Sequence, residues 1–168
     1  HRQSLNGGEI KKAKKDVFKE ILNYQTVFER IEEASPQIKA YEIMPTYAEK
    51  KSKRSIRADS IEEIITNIEM LCENQEEKFI MAYSDNPDGL LHKYGTDSKE
   101  VKEFITKTEE QLQKMCEKLS KDTLVIISAD HGHKNIEKAY TMLDYPEIQE
   151  CLIMPETLES RVVAFWVK

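Results

Sequence analysis

Two short, almost wholly apolar segments with an amphipathic helix pattern between them most limit the folds open to this chain. Lys78–Tyr83 (KFIMAY) and Asp122–Ser128 (DTLVIIS) have the length of strands, and Ser98 caps the intervening helix pattern. Near-continuous apolar strands are typical of a parallel sheet that is covered on both faces. The pattern therefore predicts a strand–helix–strand unit within an α/β fold.

Further helices and strands are predicted on both sides of this unit. Helical spacing of apolar residues predicts a helix over Lys14–Ala34, and Ser60 with Glu63 predicts a capping box at the start of another helix. The remaining predicted elements are strands at Ile38–Met44 and Arg161–Val167, a polar loop at Pro45–Arg57, and a short helix at Pro146–Leu152.

Composition indicates the class of protein and argues against two kinds of partner. With 168 residues, 39% of them hydrophobic and 33% charged, the chain is predicted to form a single globular α/β domain over residues 1–168. The net charge of −6 argues against a nucleic-acid polymer as partner, and no apolar run approaches the roughly 20 residues of a membrane span. The three cysteines have no CxxC spacing, which favours reduced thiols and a cytoplasmic location.

Acidic residues and histidines gather directly after the two apolar segments. These residues are Asp85, Asp88 and His92 in the first loop, and Asp130, His131 and His133 in the second. Ligands of open parallel sheets bind beyond the carboxyl ends of the strands, and a right-handed crossover would set the two loops side by side. Imidazole and carboxylate together suit zinc and similar divalent ions. Two ligand pairs on neighbouring loops therefore predict a two-metal site, with ions roughly 3.5–4 Å apart.

The two loops also carry a pair of motifs that resembles a known family. Asn86–Ser98 (NPDGLLHKYGTDS), followed one helix later by Asp122–His133 (DTLVIISADHGH), resembles the alkaline phosphatase superfamily, and within it the type I phosphodiesterase/nucleotide pyrophosphatase branch. That branch has a similar Pro-Asp-x-x-Gly-His-x-x-Gly loop and a similar Ala-Asp-His-Gly signature after a strand. The resemblance implies a three-layer sandwich, a mostly parallel sheet flanked by helices, of which this chain holds an incomplete, central part.

The resemblance also implies roles for individual residues. Asp88 and His92 match the ligands of one zinc ion, and Asp130 and His131 match ligands of the second. For His133 three roles stay open: contact with a ligand residue, contact with substrate, or plain loop polarity. Asp85 is expected to cap the loop. Zinc is the expected metal, although Asp and His ligands also accept manganese or iron.

The chemistry that the resemblance implies is hydrolytic phosphoryl transfer. Two divalent ions would polarise the phosphoryl oxygens of a small phosphate ester or nucleotide and stabilise the charge that develops on them. In the family, a Thr or Ser is the nucleophile. The expected activity is that of a phosphodiesterase, nucleotide pyrophosphatase or phosphatase.

Three parts of the family site have no recognisable counterpart in the chain. These are an aspartate near the amino terminus, the nucleophile, and a histidine near the carboxyl terminus. His1 lies at the wrong end, Asp16 lies within a helix pattern, and Thr46 is interpreted as a loop residue. We therefore expect a central fragment of a larger catalytic domain, which binds metal weakly and is inactive alone.

Two alternatives to a hydrolase stay open. One is a metal-dependent phosphomutase of the same superfamily, which would favour manganese and move phosphate within its substrate. The other is a non-catalytic interaction module that kept the fold and lost the nucleophile. The sequence carries no indication of the oligomeric state.

Overall fold

The computed structural model describes residues 24–159 and 162–168 and divides them into two compact units. One unit is Gln25–Asn135, and the described residues from Ile136 onward belong to the other. The predicted helix over Lys14–Ala34 lies partly outside the described residues, as do His1 and Asp16. The predicted single domain over residues 1–168 stays a prediction.

A three-stranded parallel sheet forms the centre of the first unit. Its strands are β1 (Lys39–Met44), β2 (Arg54–Arg57) and β3 (Lys78–Ala82), in the order β2-β1-β3. This sheet confirms the predicted α/β class and the two predicted strands at Ile38–Met44 and Lys78–Tyr83. The loop prediction for Pro45–Arg57 is wrong at its end, where β2 pairs with β1. Ile56 is the one apolar residue of β2, too little for a hydrophobic run to indicate a strand.

Helices cover opposite faces of this sheet. Helix α1 (Val27–Ala34) places Phe28 against Phe79 of β3, with ring centroids 6.1 Å apart. Helix α2 (Ile61–Cys72) packs on the fully buried Ile43 of β1. Because successive strand side chains point to opposite faces, and Phe79 pairs in register with Ala40, the two helices lie on different sides. The result is the predicted arrangement of a parallel sheet between helices.

The amino end of α2 departs slightly from the predicted capping box. The Ser60 hydroxyl accepts a hydrogen bond from the Glu63 amide, as predicted. The Glu63 carboxylate accepts from the amide of Asp59, at 2.7 Å, instead of from that of Ser60. The bond to Ser60 satisfies an amide that the first helical turn leaves without a partner, and the bond to Asp59 satisfies an amide just before the helix.

Two further helices follow β3 along the chain. Helix α3 (Asp88–Tyr94) is short, and α4 (Lys99–Lys118) begins at the predicted cap Ser98. Helix α4 packs along α2, and the Lys107 Nζ atom lies 2.6 Å from the Glu62 Oε1 atom. These contacts hold α4 against α2.

The predicted strand at Asp122–Ser128 does not form. Residues 123–129 have no regular secondary structure, and Leu124 is 83% exposed. A strand needs a hydrogen-bonded neighbour, and none of the described strands pairs with this segment. Its β-branched composition is a weak preference that depends on such packing, so the prediction is wrong for the described chain.

The second unit contains short elements. It has a 3₁₀ turn at Met142–Asp144, helix α5 (Pro146–Glu150), and antiparallel strands β4 (Thr157–Glu159) and β5 (Val162–Ala164). Helix α5 confirms the predicted helix at Pro146–Leu152. Strand β5 confirms the middle of the predicted strand at Arg161–Val167, and β4 was not predicted. Within the described residues, no helix has the length and apolarity to cross a membrane.

Candidate metal centre

Helix α3 carries the first pair of predicted metal ligands. Asp88 is its first residue and His92 lies one turn later, so both side chains project from one face. The Asp88 Oδ1 atom is 3.5 Å from the His92 Nε2 atom. The sequence predicted a loop here, which is wrong. The signals for a helix were an acidic residue in the first turn and Gly95 after the last.

The loop after residue 129 brings two more histidines to Asp88. The Nε2 atom of His133 is 2.6 Å from Asp88 Oδ1, and that of His131 is 3.7 Å from the same oxygen. The two polar loops therefore lie side by side, as expected, but the crossover on which that expectation rested is absent, because the second apolar segment is not a strand among the described residues. The His133 side chain is only 8% exposed, so it is the most enclosed histidine of the group.

The geometry of Asp88, His92 and His133 fits a single cation. One ligand atom from each of these residues lies within 4.8 Å of the other two. Zinc–ligand distances of about 2.0–2.2 Å place two ligands of one ion at most ~4.4 Å apart, so a small closure would suffice. The rings of His92 and His133 meet edge to face, with centroids 4.8 Å apart. Two imidazoles and a carboxylate are a donor set that zinc commonly takes.

The imidazoles also stabilise the ionised form of Asp88. The hydrogen bond with His133 lowers the pKa of the Asp88 carboxyl below its ordinary value of 3.8, and positive charge on the surrounding histidines lowers it further. Desolvation opposes this shift and is outweighed. Asp88 is therefore a carboxylate at neutral pH, the form that binds a metal ion.

The second predicted pair, Asp130 and His131, is less closely assembled. The Asp130 side chain is 78% exposed, and its Oδ1 atom lies 3.9 Å from His131 Nε2. The same oxygen accepts a hydrogen bond from the His131 amide at 3.1 Å. Thus the structure brings His131 to Asp88 and leaves Asp130 facing solvent.

Thr46 and Asp85, which the sequence predicts to be loop residues, both form hydrogen bonds with other side chains. The Thr46 hydroxyl donates to the Asp59 carboxylate, at 3.1 and 3.0 Å from its two oxygens, and the Thr46 amide donates to the same group. Asp85 accepts a hydrogen bond from the Tyr47 hydroxyl at 3.4 Å. The contacts of Thr46 fit the loop role expected of it, and the capping role expected of Asp85 stays a prediction.

The position of His133 is what the sequence reasoning missed. The motif pairs predicted a ligand role for His131 and left the role of His133 open. The available signal was that the two histidines stand only one residue apart directly after the second apolar segment, close enough for both rings to reach the same carboxylate.

Comparison with protein families identifies the chain. A model of the family described as type I phosphodiesterase/nucleotide pyrophosphatase matches residues 10–168. The chain belongs to the type I phosphodiesterase/nucleotide pyrophosphatase family. This family lies in the alkaline phosphatase superfamily, so the resemblance drawn from the two loop motifs is confirmed. No curated protein and no solved structure matches the chain significantly.

Membership of the type I phosphodiesterase/nucleotide pyrophosphatase family indicates a general kind of chemistry. The family carries out phosphoryl transfer of the phosphodiesterase and pyrophosphatase type on small phosphate esters or nucleotides, and it is typically metal-dependent. The group formed by Asp88, His92 and His133 lies inside the matched region.

Proposed function

We propose that this protein is a metal-dependent hydrolase of small phosphodiesters or nucleotides. The observation that carries the proposal is the position of Asp88, whose carboxylate has three imidazole nitrogens within 3.7 Å. Histidines around a carboxylate at the carboxyl side of a parallel sheet are a suitable site for a divalent cation. The family match adds the type of reaction.

In this proposal Asp88, His92 and His133 hold one divalent ion, with zinc favoured and manganese as the alternative. Three protein ligands leave a fourth position open, as in catalytic zinc sites. His131 and Asp130 hold a second ion, as the family motif implies. The exposed Asp130 carboxylate could turn towards His131 without breaking any core packing.

The residues of the chain would contribute by binding, orientation and charge. An ion held there supplies positive charge that polarises the phosphoryl oxygens and stabilises the charge that develops on them. Asp88 offers a full negative charge at neutral pH, and the hydrogen bond with His133 lowers its pKa and so extends the ionised form to more acidic solution. The low exposure of His133 fixes its ring and keeps water from competing at that nitrogen.

We also propose that the 168-residue chain alone is nearly inactive. The Thr46 hydroxyl donates its hydrogen bond to Asp59, which fits a loop residue and not a nucleophile. The sequence offers no other recognisable candidate for the nucleophile. The family match to a phosphodiesterase favours hydrolysis over the phosphomutase alternative. The assembled Asp–His group argues against the interaction module, because a protein that had lost its site would have no need to retain it.

Zinc titration tests the proposal directly. Competition with a chelating dye should give saturable binding to the wild-type chain, and D88N should lose it because the central carboxylate is gone. The matched control is D122N, which neutralises an exposed aspartate in the turn after α4. Equal zinc affinity of D88N and the wild-type chain would refute the site. Hydrolysis of bis(p-nitrophenyl) phosphate by a longer form of the protein, lost in D88N, would support the reaction.

A further inference from the structure

An asparagine side chain ties together the two segments that carry the candidate metal centre. The Asn135 Oδ1 atom accepts a hydrogen bond from the Thr96 amide at 2.8 Å. Its Nδ2 group donates to the Asp97 Oδ2 atom at 3.0 Å. Thr96 and Asp97 follow the end of α3, and Asn135 comes two residues after His133. One side chain therefore uses both its acceptor and its donor to join the loop of His133 to the helix of Asp88.

The turn that receives this side chain is shaped around it. Gly95 has φ +82°, a left-handed conformation that residues with a Cβ rarely adopt. A Cβ atom at Gly95 would lie 2.9 Å from Asn135 Oδ1, closer than real Cβ contacts. The absence of a side chain at Gly95 thus lets the Asn135 amide reach the backbone of the turn.

We propose that Asn135 is a positioning residue that holds His131 and His133 against Asp88 and His92, and thereby sets the affinity of this site for a divalent cation. The inference rests on the proposed function, because it concerns the same site. The loop from Ala129 to Asn135 has no helix or strand of its own to hold it in place. Its attachment to the end of α3 supplies the fixed geometry that ligand residues need.

The first measurement needs no metal. Hydrogen–deuterium exchange of the Thr96 amide should be slow in the wild-type chain and faster in N135A, since the Asn135 side chain is the acceptor for that amide. The second measurement is zinc affinity by chelator competition. Loss of a residue that orients metal ligands typically weakens binding about 10–100-fold, and we expect N135A to fall in that range.

Rescue separates positioning from general damage to the fold. N135D alone should bind zinc weakly, because it loses the donor and faces Asp97 with a like charge. N135D/D97N should recover affinity, because the carboxylate at position 135 accepts from both the Thr96 amide and the new amide at position 97. The matched control is N67A, since the Asn67 amide donates to the Glu63 carbonyl within α2, away from the site.

The outcomes distinguish this inference from the proposed function. A wild-type chain that does not bind zinc would overturn both. Zinc binding by the wild-type chain together with equal binding by N135A would overturn the inference and leave the proposed function standing. Failure of N135D/D97N to recover affinity would also overturn the inference. The expected result is weak binding by N135A and N135D, recovery in the double variant, and no change in N67A.

Discussion

The Nε2 atom of His133 lies 2.6 Å from the Oδ1 atom of Asp88, although 45 positions separate them in the chain. The contact joins a short helix after β3 to an irregular loop after the second apolar segment. It makes Asp88 the centre of the candidate site, shared by histidines from both loops. The site therefore depends on tertiary structure, and a substitution in either loop should alter the geometry of the ligand residues in the other.

Substitution of His133 should weaken the tighter of the two zinc-binding steps, although the motif comparison left the role of this residue open. We expect H133A to weaken the tighter zinc-binding step by about 100-fold, as complete zinc sites are held by about 10–16 kcal/mol shared among their ligands. Isothermal titration calorimetry of the 168-residue chain would measure it. H131A serves as the comparison and should affect the weaker step. A larger loss of the tighter step in H131A than in H133A would reverse the assignment of the ligands.

The contact between α2 and α4 should make stability depend on pH through Glu62. Hydrogen bonding from Lys107 is the main cause that lowers the pKa of Glu62 from 4.5 to about 2. Because this pKa is depressed in the folded state, its stabilising contribution is complete above about pH 4.5 and is lost as pH falls towards 2. The free energy of unfolding of E62Q, measured in urea, should therefore fall less steeply between pH 4.5 and pH 2 than that of the wild-type chain. E109Q, which changes an exposed glutamate on α4, should keep the wild-type slope.

The hydrophobic core between the sheet and α2 should be sensitive to loss of volume. Ile43 is fully buried on β1, the central strand of the sheet, so I43A should lower the free energy of unfolding by about 2–5 kcal/mol. Ile105 on α4 is 48% exposed, and I105A should cost far less. If I43A and I105A lost the same free energy of unfolding in urea denaturation, Ile43 would not lie in the hydrophobic core.

Gly95 should tolerate substitution poorly for two independent reasons. In G95A the backbone conformation at φ +82° and ψ 166°, which is essentially confined to glycine, costs about 1–3 kcal/mol, and the new methyl group meets the Asn135 amide. We expect a lower midpoint of thermal unfolding in G95A. G132A is the control, because a Cβ there meets nothing within 4 Å. A G132A variant that is destabilised as much as G95A would contradict this explanation.

Local sequence signals predicted the regular elements better than the contacts between them. The Ser60 and Ser98 caps, and the strands at Lys39–Met44 and Lys78–Ala82, follow from nearby residues alone. Strand β2 could not be predicted, because it is held by pairing with β1 and contains a single isoleucine. At residues 123–129 apolar composition predicted a strand that does not form, because no described strand supplies hydrogen bonds to this segment.

The candidate site was predictable in its location and less so in its detail. The loops of Asp88 and His131 meet as expected, but the parallel strand from which this was argued does not form in the described chain. The distance from His133 to Asp88 and the bonds of Asn135 depend on how the second loop folds back, which has no periodic sequence signal. The division of ligands between two ions stays a prediction.

The exposed segment from Leu124 to Ile127 should make the chain prone to self-association. Its isoleucines at positions 126 and 127 are 79% and 73% exposed, and the segment carries no charge and no proline. Such a stretch readily forms intermolecular β-structure at high protein concentration. Colloidal behaviour, more than fold stability, should then limit the concentration at which the protein can be kept in solution, and a lysine introduced at position 126 should raise that limit.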